Sequence, residues 1–510
     1  MIDCFVIGHN ELDINRQKQL IRLSYGESST TYKERHKFNL AQVEYQKKLY
    51  TPVQFFNEFH NEKKDYTKSL DVFNESFSLA VAYLGTYLRR KGLTIDYINY
   101  FNGEKEALAL RLKNNEIRTI AITTTYYTFP YPIQEILKYI RKYSKNVKII
   151  VGGPYIAASV RAMKEDEIQS FLKSLGADVY IYNAEGERAL YETVCAIKNQ
   201  SGLDSIANIY YDTGDKYKFT SSVREDNDLD KNFIDWQLFK ERIGTNVNLR
   251  TSISCPYACS FCTFPQYAGR YRTTSLEIVE RELDLLKSIP TVTGFCIIDD
   301  AINISADRFK QFLRMLIKKN YGFKWSSFLR CQHIDREIVE LMKESGCQVV
   351  FCGIESGSQR ILDNMNKNAK VEEYKKSLAI LNEYGILSIA SIIVGFPGET
   401  HETFYETYNF VEETMPTFFQ ERLWAYDHQA AIHSKKTEYE LKGSNYDWSH
   451  ATMNSETALH LGNKMFLEIK NSIHVTEYPI IFHLLNRGLS ANEVKEFLGN
   501  YNDFLKRSIE

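Results

Sequence analysis

The chain has 510 residues, too many for one hydrophobic core, so two or three domains are expected. It is 44% hydrophobic and 25% charged with a formal net charge of −2, a globular composition that gives no electrostatic reason to bind nucleic acid or an anionic membrane. No apolar run reaches the roughly 20 residues of a membrane span, Met1–Gly8 lacks the basic start of a secretion signal, and nine cysteines read as thiols or metal ligands in a reducing, cytoplasmic setting.

A β/α rhythm fills an expected first domain, 1–199. Asp3–Gly8 reads as a buried strand, and the polar, tyrosine-rich stretch 10–68 as an insertion without a clear period. From Ser76 a helix is expected, with Leu79, Val81, Ala82, Leu84, Tyr87 and Leu88 at helical spacing and Gly92 as its stop. Then come a strand at Thr94–Ile98, a helix at Glu104–Lys113 and a strand at Thr119–Thr123. An amphipathic helix at Ile133–Tyr143 precedes a strand at Val147–Val151, which ends in Gly152-Gly153-Pro154. A last strand, Asp178–Tyr182, leads into Glu185-Gly186-Glu187 and a helix running through Cys195. The alternation predicts an open parallel sheet with right-handed crossovers.

Residues 200–247 read as a linker with one hairpin, Ile209–Tyr211 and Tyr217–Thr220 around Thr213-Gly214-Asp215, then an acidic loop at Arg224–Lys231. A second β/α series is expected over 248–445 and a mostly helical tail over 446–510. At its start, Cys255-Pro-Tyr-Ala-Cys259-Ser-Phe-Cys262 sets three cysteines on one loop. Three thiolates can hold three irons of a cubane and leave the fourth open. The alternative, a structural zinc site, wants four ligands, usually in two separated pairs, and no second C-x2-C follows.

The array, with Phe261 before its third cysteine, resembles the radical S-adenosylmethionine (SAM) signature. The resemblance implies a [4Fe–4S] cluster on Cys255, Cys259 and Cys262. Its open iron would bind SAM, and an electron from a donor such as flavodoxin or ferredoxin would release a 5′-deoxyadenosyl radical. It also implies a partial (β/α)6 barrel, for which six strands are at hand: Thr251–Ser254, Gly294–Ile298, Lys324–Leu329, Gln348–Gly353, Leu387–Val394 and Arg422–Tyr426. Between the first two, Thr274 and Glu277 suggest a capping box. Barrel sites lie at the C-terminal strand ends. There, by resemblance, Asp299, Asp300, Arg330, Gly353, Glu355, Ser356, Gly395 and Pro397 join Phe261 as cofactor contacts, and Glu399 is set to cap the next helix.

The first domain resembles a cobalamin-binding domain, with Gly152 and Gly153 at the sheet mouth as cofactor contacts. No D-x-H-x-x-G segment supplies a cobalt-ligating histidine, so cobalamin stays open. The opening Met1–Asn10, Asn39-Leu40 with Val43-Glu44-Tyr45, Leu329-Arg330-Cys331 and the Trp448–Met453 stretch resemble a narrower family. It contains phosphinothricin-type P-methyltransferases and radical peptide epimerases. An epimerase needs a hydrogen donor. Cys4 and Cys195 lie outside the barrel, Cys347 at its wrong end and Cys296 in mid-strand. Cys352 and Cys331 are the candidates, although strand alternation turns Cys352 away from the barrel lumen. The leading expectation is a peptide epimerase. The alternatives are cobalamin-dependent methyl transfer to a peptide or small molecule, and a non-catalytic iron–sulfur or corrinoid protein.

Overall fold

A computed structural model describes residues 1–39, 42–59 and 77–507; Leu40, Ser76, the end of the expected insertion and the last three residues lie outside the described residues. The chain divides into two compact units. The first comprises Met1–Asp13, Phe73–Gly244 and Thr274–Pro290, and the second Ile14–Val72, Thr245–Thr273 and Thr291–Glu510.

The first unit is built on a seven-stranded sheet: Ile2–His9 (β1), Ile95–Tyr100 (β2), Ile117–Thr123 (β3), Lys148–Gly152 (β4), Val179–Ile181 (β5), Ile209–Asp212 (β6) and Tyr217–Phe219 (β7). The order is β2-β1-β3-β4-β5-β6-β7, parallel through β5 and antiparallel beyond. Apolar residues on both faces make β1 suitable for the middle of a covered sheet, and its last seven residues are all buried. Ser78 starts the helix Leu79–Arg90 by accepting the Val81 N–H, and Gly92 follows it at φ 83°. The hairpin expected in a linker instead extends this sheet through β6 and β7. The helix Leu276–Lys287 starts at Ser275, which makes no side-chain cap, so the expected Thr274–Glu277 capping box is absent.

The second unit has a seven-stranded, wholly parallel sheet. Its strands are Asn246–Leu249 (β8), Gly294–Ile297 (β9), Lys324–Leu329 (β10), Cys347–Glu355 (β11), Leu387–Val394 (β12), Phe418–Leu423 (β13) and Ile473–His474 (β14), in that spatial order. Three strands differ from expectation. The first strand precedes Thr251–Ser254, where Ser252–Ile253 pairs antiparallel with Arg272–Thr273. The sixth starts four residues early because the polar Gln420 and Glu421 are buried with partners. The seventh, β14, lies inside the expected helical tail.

The stretch expected as an insertion belongs to this second unit. Helices Ile14–Tyr25, Thr30–Asn39 and Pro52–Phe59 flank a hairpin, Val43–Tyr45 with Lys48–Tyr50. The Thr30 N–H and Thr31 hydroxyl donate to the Asp447 carboxylate (2.8 and 2.5 Å), and Glu34 accepts the Leu423 N–H (3.0 Å). Val43, Phe55 and Phe56 pack with Phe497 and Tyr501 of the C-terminal helix Ala491–Arg507. The same core joins Val349, Leu387, Ile389 and Phe418 to Ile480, Ile481, Leu484 and Leu485 on the helix Pro479–Asn486.

Candidate functional site

The cysteine loop leaves the barrel after β8 and is fastened at several points. Asp299, just beyond β9, accepts the Thr251 N–H (2.7 Å) and hydroxyl (2.6 Å) and the Ser252 N–H (3.1 Å). Ser254, at φ 70°, donates its hydroxyl to the Gly269 carbonyl (2.6 Å), and this turn aims the chain into Cys255. Ser260 donates to the Met365 carbonyl (2.8 Å) through its N–H and to the Asn364 carbonyl (3.0 Å) through its hydroxyl. Asn366 donates to the Ala258 carbonyl (2.8 Å).

Cys259 is buried and Cys255 and Cys262 are half-buried, all three without disulfides. Burial raises the Cys255 and Cys262 thiols, and the charges of Cys259 and Asp300 raise them further. Three cysteines on one loop suit a positively charged iron cluster, which would hold them as thiolates. The donor set therefore fits a [4Fe–4S] cluster. Asp300 reaches solvent at the rim, yet desolvation and the neighbouring Asp299 push its carboxyl up to about 6.

Arg330, expected to face a cofactor, sits behind the cysteines. Its N–H donates to Asn303 (3.0 Å), and its guanidinium lies 3.5 Å over the Tyr257 ring. One terminal nitrogen donates to the Lys367 carbonyl, and the other lies 4.0 Å from the Cys259 sulfur. At 7% exposure it is held against the loop rather than offered to solvent. Lys367 pairs with Glu355 (2.9 Å) and stands 5.8 Å over the Phe261 ring. A Cβ on Gly353 would fall 2.8 Å from the Glu355 carboxylate and 3.2 Å from the Lys367 ammonium. Tyr257 and Lys367 were not among the expected residues. Tyr257 lies inside the C-x3-C spacer, and Lys367 reaches the site from a loop that carries no motif.

Other expected contacts serve as scaffold. Asp299 spends its hydrogen-bonding capacity on Thr251 and Ser252. The Ser356 hydroxyl bonds the Thr407 hydroxyl (2.9 Å) and accepts the Ser358 N–H (3.1 Å). Pro397 presents its carbonyl to Asn364 (3.2 Å). Gly395 has φ 86°, and a Cβ there would lie 2.5 Å from the Trp448 ring and 2.7 Å from Ala458, so only glycine fits. Its N–H donates to Glu399, and its carbonyl accepts from His450 (3.2 Å). Glu399 therefore fixes the Gly395 turn, and Thr400 caps the helix instead. Burial pushes the Glu399 carboxyl up to about 8 and the His450 imidazole down to about 4, the latter against the Gly395 bond.

The two candidate hydrogen donors meet each other. Cys331 and Cys352 are both fully buried, and the neighbouring Cys352 thiol, with burial, pushes the Cys331 thiol well up. Along β11, Phe351, Gly353 and Glu355 are part-exposed, whereas Val350, Cys352 and Ile354 are buried. Cys352 thus lies on the face opposite Gly353, as alternation implied.

In the first unit, the order β2-β1-β3-β4-β5 reverses direction between β1 and β3, and ligands of such sheets bind outside the strand ends at that point. Gly153 follows β4 at φ 117°, where a Cβ would lie 2.8 Å from the Thr124 hydroxyl; one on Gly152 would lie 3.1 Å from Ile181. His9 ends β1, stacked on Tyr100 at 5.3 Å. Beside it the buried Asn10 donates to Glu135 (3.1 Å), and its carbonyl oxygen has no protein partner among the described residues. The two glycines pack backbone against Thr124 and Ile181, and the orphaned buried acceptor of Asn10 is the observation here that fits a bound cofactor.

Residues 249–411 match the family described as the Radical SAM superfamily, and this segment is a radical SAM domain, an enzyme domain that works with a [4Fe–4S] cluster and SAM. The chain is 26% identical over 66% of its length to the anaerobic magnesium-protoporphyrin IX monomethyl ester cyclase of Rubrivivax gelatinosus, covering 62% of that protein. It is 28% identical over 66% of its length to the enzyme of that name from Cereibacter sphaeroides, of which it spans 56%. An uncharacterized methyltransferase of Pyrococcus horikoshii is 24% identical over 61% of this chain and 69% of its own length. In fold the chain is similar to the radical SAM methyltransferase TsrM from Kitasatospora setae, solved with tryptophan substrate and a SAM analogue (TM-score 0.57, 17% identity, 70% of this chain and 72% of that one). It is also similar to the cobalamin-dependent SAM radical enzyme OxsB, solved with aqua-cobalamin and SAM (TM-score 0.55, 18% identity, 71% and 52%).

Proposed function

We propose that this chain, which carries a radical SAM domain over 249–411, is a cobalamin-dependent radical SAM methyltransferase. The observation that carries the proposal is one chain holding both a cysteine-bearing parallel barrel and an open β2-β1-β3-β4-β5 sheet with a cofactor-ready edge. The fold likeness to TsrM, a radical SAM methyltransferase solved with cobalamin, and to OxsB, a cobalamin-dependent SAM radical enzyme, supports it. The epimerase expectation draws no such support, and both of its candidate thiols are fully buried.

When bound, the cluster and SAM supply a 5′-deoxyadenosyl radical and the corrinoid a transferable methyl group. The chain's own residues have separable tasks in this reading. Cys255, Cys259 and Cys262 hold the cluster, and Arg330 places positive charge against Cys259. Glu355 and Lys367 present a paired carboxylate and ammonium beside Phe261, suited to the amino and carboxylate ends of SAM. Gly395, fixed by Glu399 and His450, keeps backbone rather than side chain at its strand end. Gly152, Gly153 and Asn10 receive the corrinoid. An electron donor such as flavodoxin or ferredoxin and a cytoplasmic setting complete the proposal; among the described residues no helix is long and apolar enough to cross a membrane.

The test uses full-length protein with its cluster reconstituted anaerobically, incubated with hydroxocobalamin and desalted. Retained corrinoid near one equivalent, and substrate that gains label from methyl-deuterated SAM, are expected. Protein that makes 5′-deoxyadenosine, retains no corrinoid and incorporates solvent deuterium into substrate would return the assignment to epimerisation.

A further inference from the structure

Beyond β13 the chain turns back past the cysteine loop and brings two histidines together. Tyr426 exchanges backbone hydrogen bonds with Asn445 (2.7 and 2.9 Å), which fixes the exit from the strand. A short turn, Ala431–Lys435, follows, and its Ile432 N–H donates to the carbonyl of Ser260 (2.9 Å), which lies between Cys259 and Cys262. His428 stands in the first of these segments and His433 in the second. Their ring centres are 4.9 Å apart and their planes are inclined by 34°.

Each ring has one nitrogen engaged and the other unclaimed among the described residues. His428 Nε2 lies 2.9 Å from the Gly443 carbonyl. A carbonyl only accepts, so Nε2 carries the ring proton and Nδ1 keeps its lone pair. That carbonyl is itself held, because Gly443 lies in the strand Lys442–Ser444, paired with Asp447–His450. On His433, Nδ1 lies 2.7 Å from the Tyr426 hydroxyl. A hydroxyl accepts as well as donates, so Nδ1 can hold the proton and leave Nε2 open. The Tyr426 ring is buried and stacked on Trp424 at 5.2 Å, so this partner is also fixed.

A metal-binding imidazole works in this way, with one nitrogen for the metal and the other steadied by an outer hydrogen bond. Two imidazoles bonded at about 2.0–2.1 Å to one tetrahedral ion have ring centres on the order of 5 Å apart. The observed separation meets that condition. Burial, with the neighbouring His428 and Lys436, holds the His433 imidazole below its ordinary value, which favours the neutral form that ligates.

We infer that His428 and His433 form a two-imidazole site for a divalent transition metal, Zn²⁺ being the simplest case, with water in the remaining positions. Imidazole nitrogen suits zinc, copper and nickel, whereas magnesium and calcium take oxygen ligands. Among the described residues no group of three or more His, Cys, Asp or Glu side chains is placed to hold an ion. The site is therefore an open one, unlike the closed four-ligand set of structural zinc. It is separate from the cysteine array and does not rest on the reaction proposed above. A metal there ties the exit of β13 to the turn that touches Ser260.

The experiment uses untagged, full-length, cluster-loaded protein and Zn²⁺ in anaerobic competition with a chromophoric chelator. About one equivalent should bind while the visible absorbance of the cluster stays unchanged. His428→Ala and His433→Ala should each weaken binding about tenfold or more, and Tyr426→Phe, which keeps the ring but removes the bond to His433 Nδ1, by about tenfold. Zinc-edge X-ray absorption should show nitrogen and oxygen at about 2.0–2.1 Å, imidazole outer scattering, and no sulfur at about 2.3 Å. Circular dichroism of each variant separates lost binding from lost fold. No binding, a sulfur shell, or binding that survives both histidine variants would overturn the inference. Loss in only one of the two folded variants would overturn it as well, since that marks a single adventitious histidine.

Discussion

Replacing Arg330 by glutamine should make the cluster harder to reduce. The guanidinium is nearly buried, and one of its nitrogens lies 4.0 Å from the Cys259 sulfur. A unit charge at that distance is worth about 4 kcal/mol at an effective dielectric constant of about 20. Cluster charge is shared among several sulfurs and irons, so about half of this, roughly 2 kcal/mol, is a fair allowance for one added electron. At about 59 mV for each 1.4 kcal/mol in a one-electron couple, the midpoint potential should fall by about 80 mV. The assay is an EPR-monitored redox titration of the reconstituted cluster in wild type, Arg330→Gln and Arg330→Lys. Lysine keeps the charge without the stack on Tyr257 and should recover part of the loss. A midpoint in Arg330→Gln equal to or above wild type, with three cysteines still ligating, would refute the reasoning.

Two further variants address the scaffold. Glu399→Gln keeps an acceptor for the Gly395 N–H but removes ionisation. The Glu399 carboxyl is held up at about 8, so below about 4.5 it is protonated in folded and unfolded chains alike, and between those values only the unfolded chain releases its proton and stability falls. Urea unfolding should therefore find the variant no more stable than wild type at pH 4.5 but more stable at pH 8, by on the order of 4 kcal/mol; an equal difference at both values would count against the assignment. Lys37→Met leaves the Glu421 carboxylate, held down at about 2 by His474 and Lys37 against burial, without its cation. A loss of about 3–5 kcal/mol is expected, largely recovered when Glu421→Gln is added, and additive losses in the double variant would refute the pairing.

What the sequence made legible was local. Cysteine spacing and the apolar runs of β10 and β12 need only neighbours in the chain, and both strands fall where periodicity put them. Misplaced elements had their cause at a distance. β13 was expected at Arg422–Tyr426, four residues late, because Gln420 and Glu421 look solvated until Val475, Thr476, Lys37 and His474 are brought to them. Likewise 14–59 showed no period because its partners, Leu423, Asp447 and Phe497, are hundreds of residues away.

The site divides along the same line. A motif marks where a residue stands along the chain but leaves open which partner uses its polar atoms. Asp299, Ser356 and Gly395 stand at strand ends as expected, yet their partners are Thr251, Thr407 and Glu399. Lys367 belongs to no motif and still pairs with Glu355 over Phe261. Reaction choice follows from such partners more than from residue types. Cys331 and Cys352 looked like hydrogen donors while only their strand positions were known. Both are fully buried, and Cys352 lies on the face of β11 opposite Gly353, turned from the residues that gather beside Phe261.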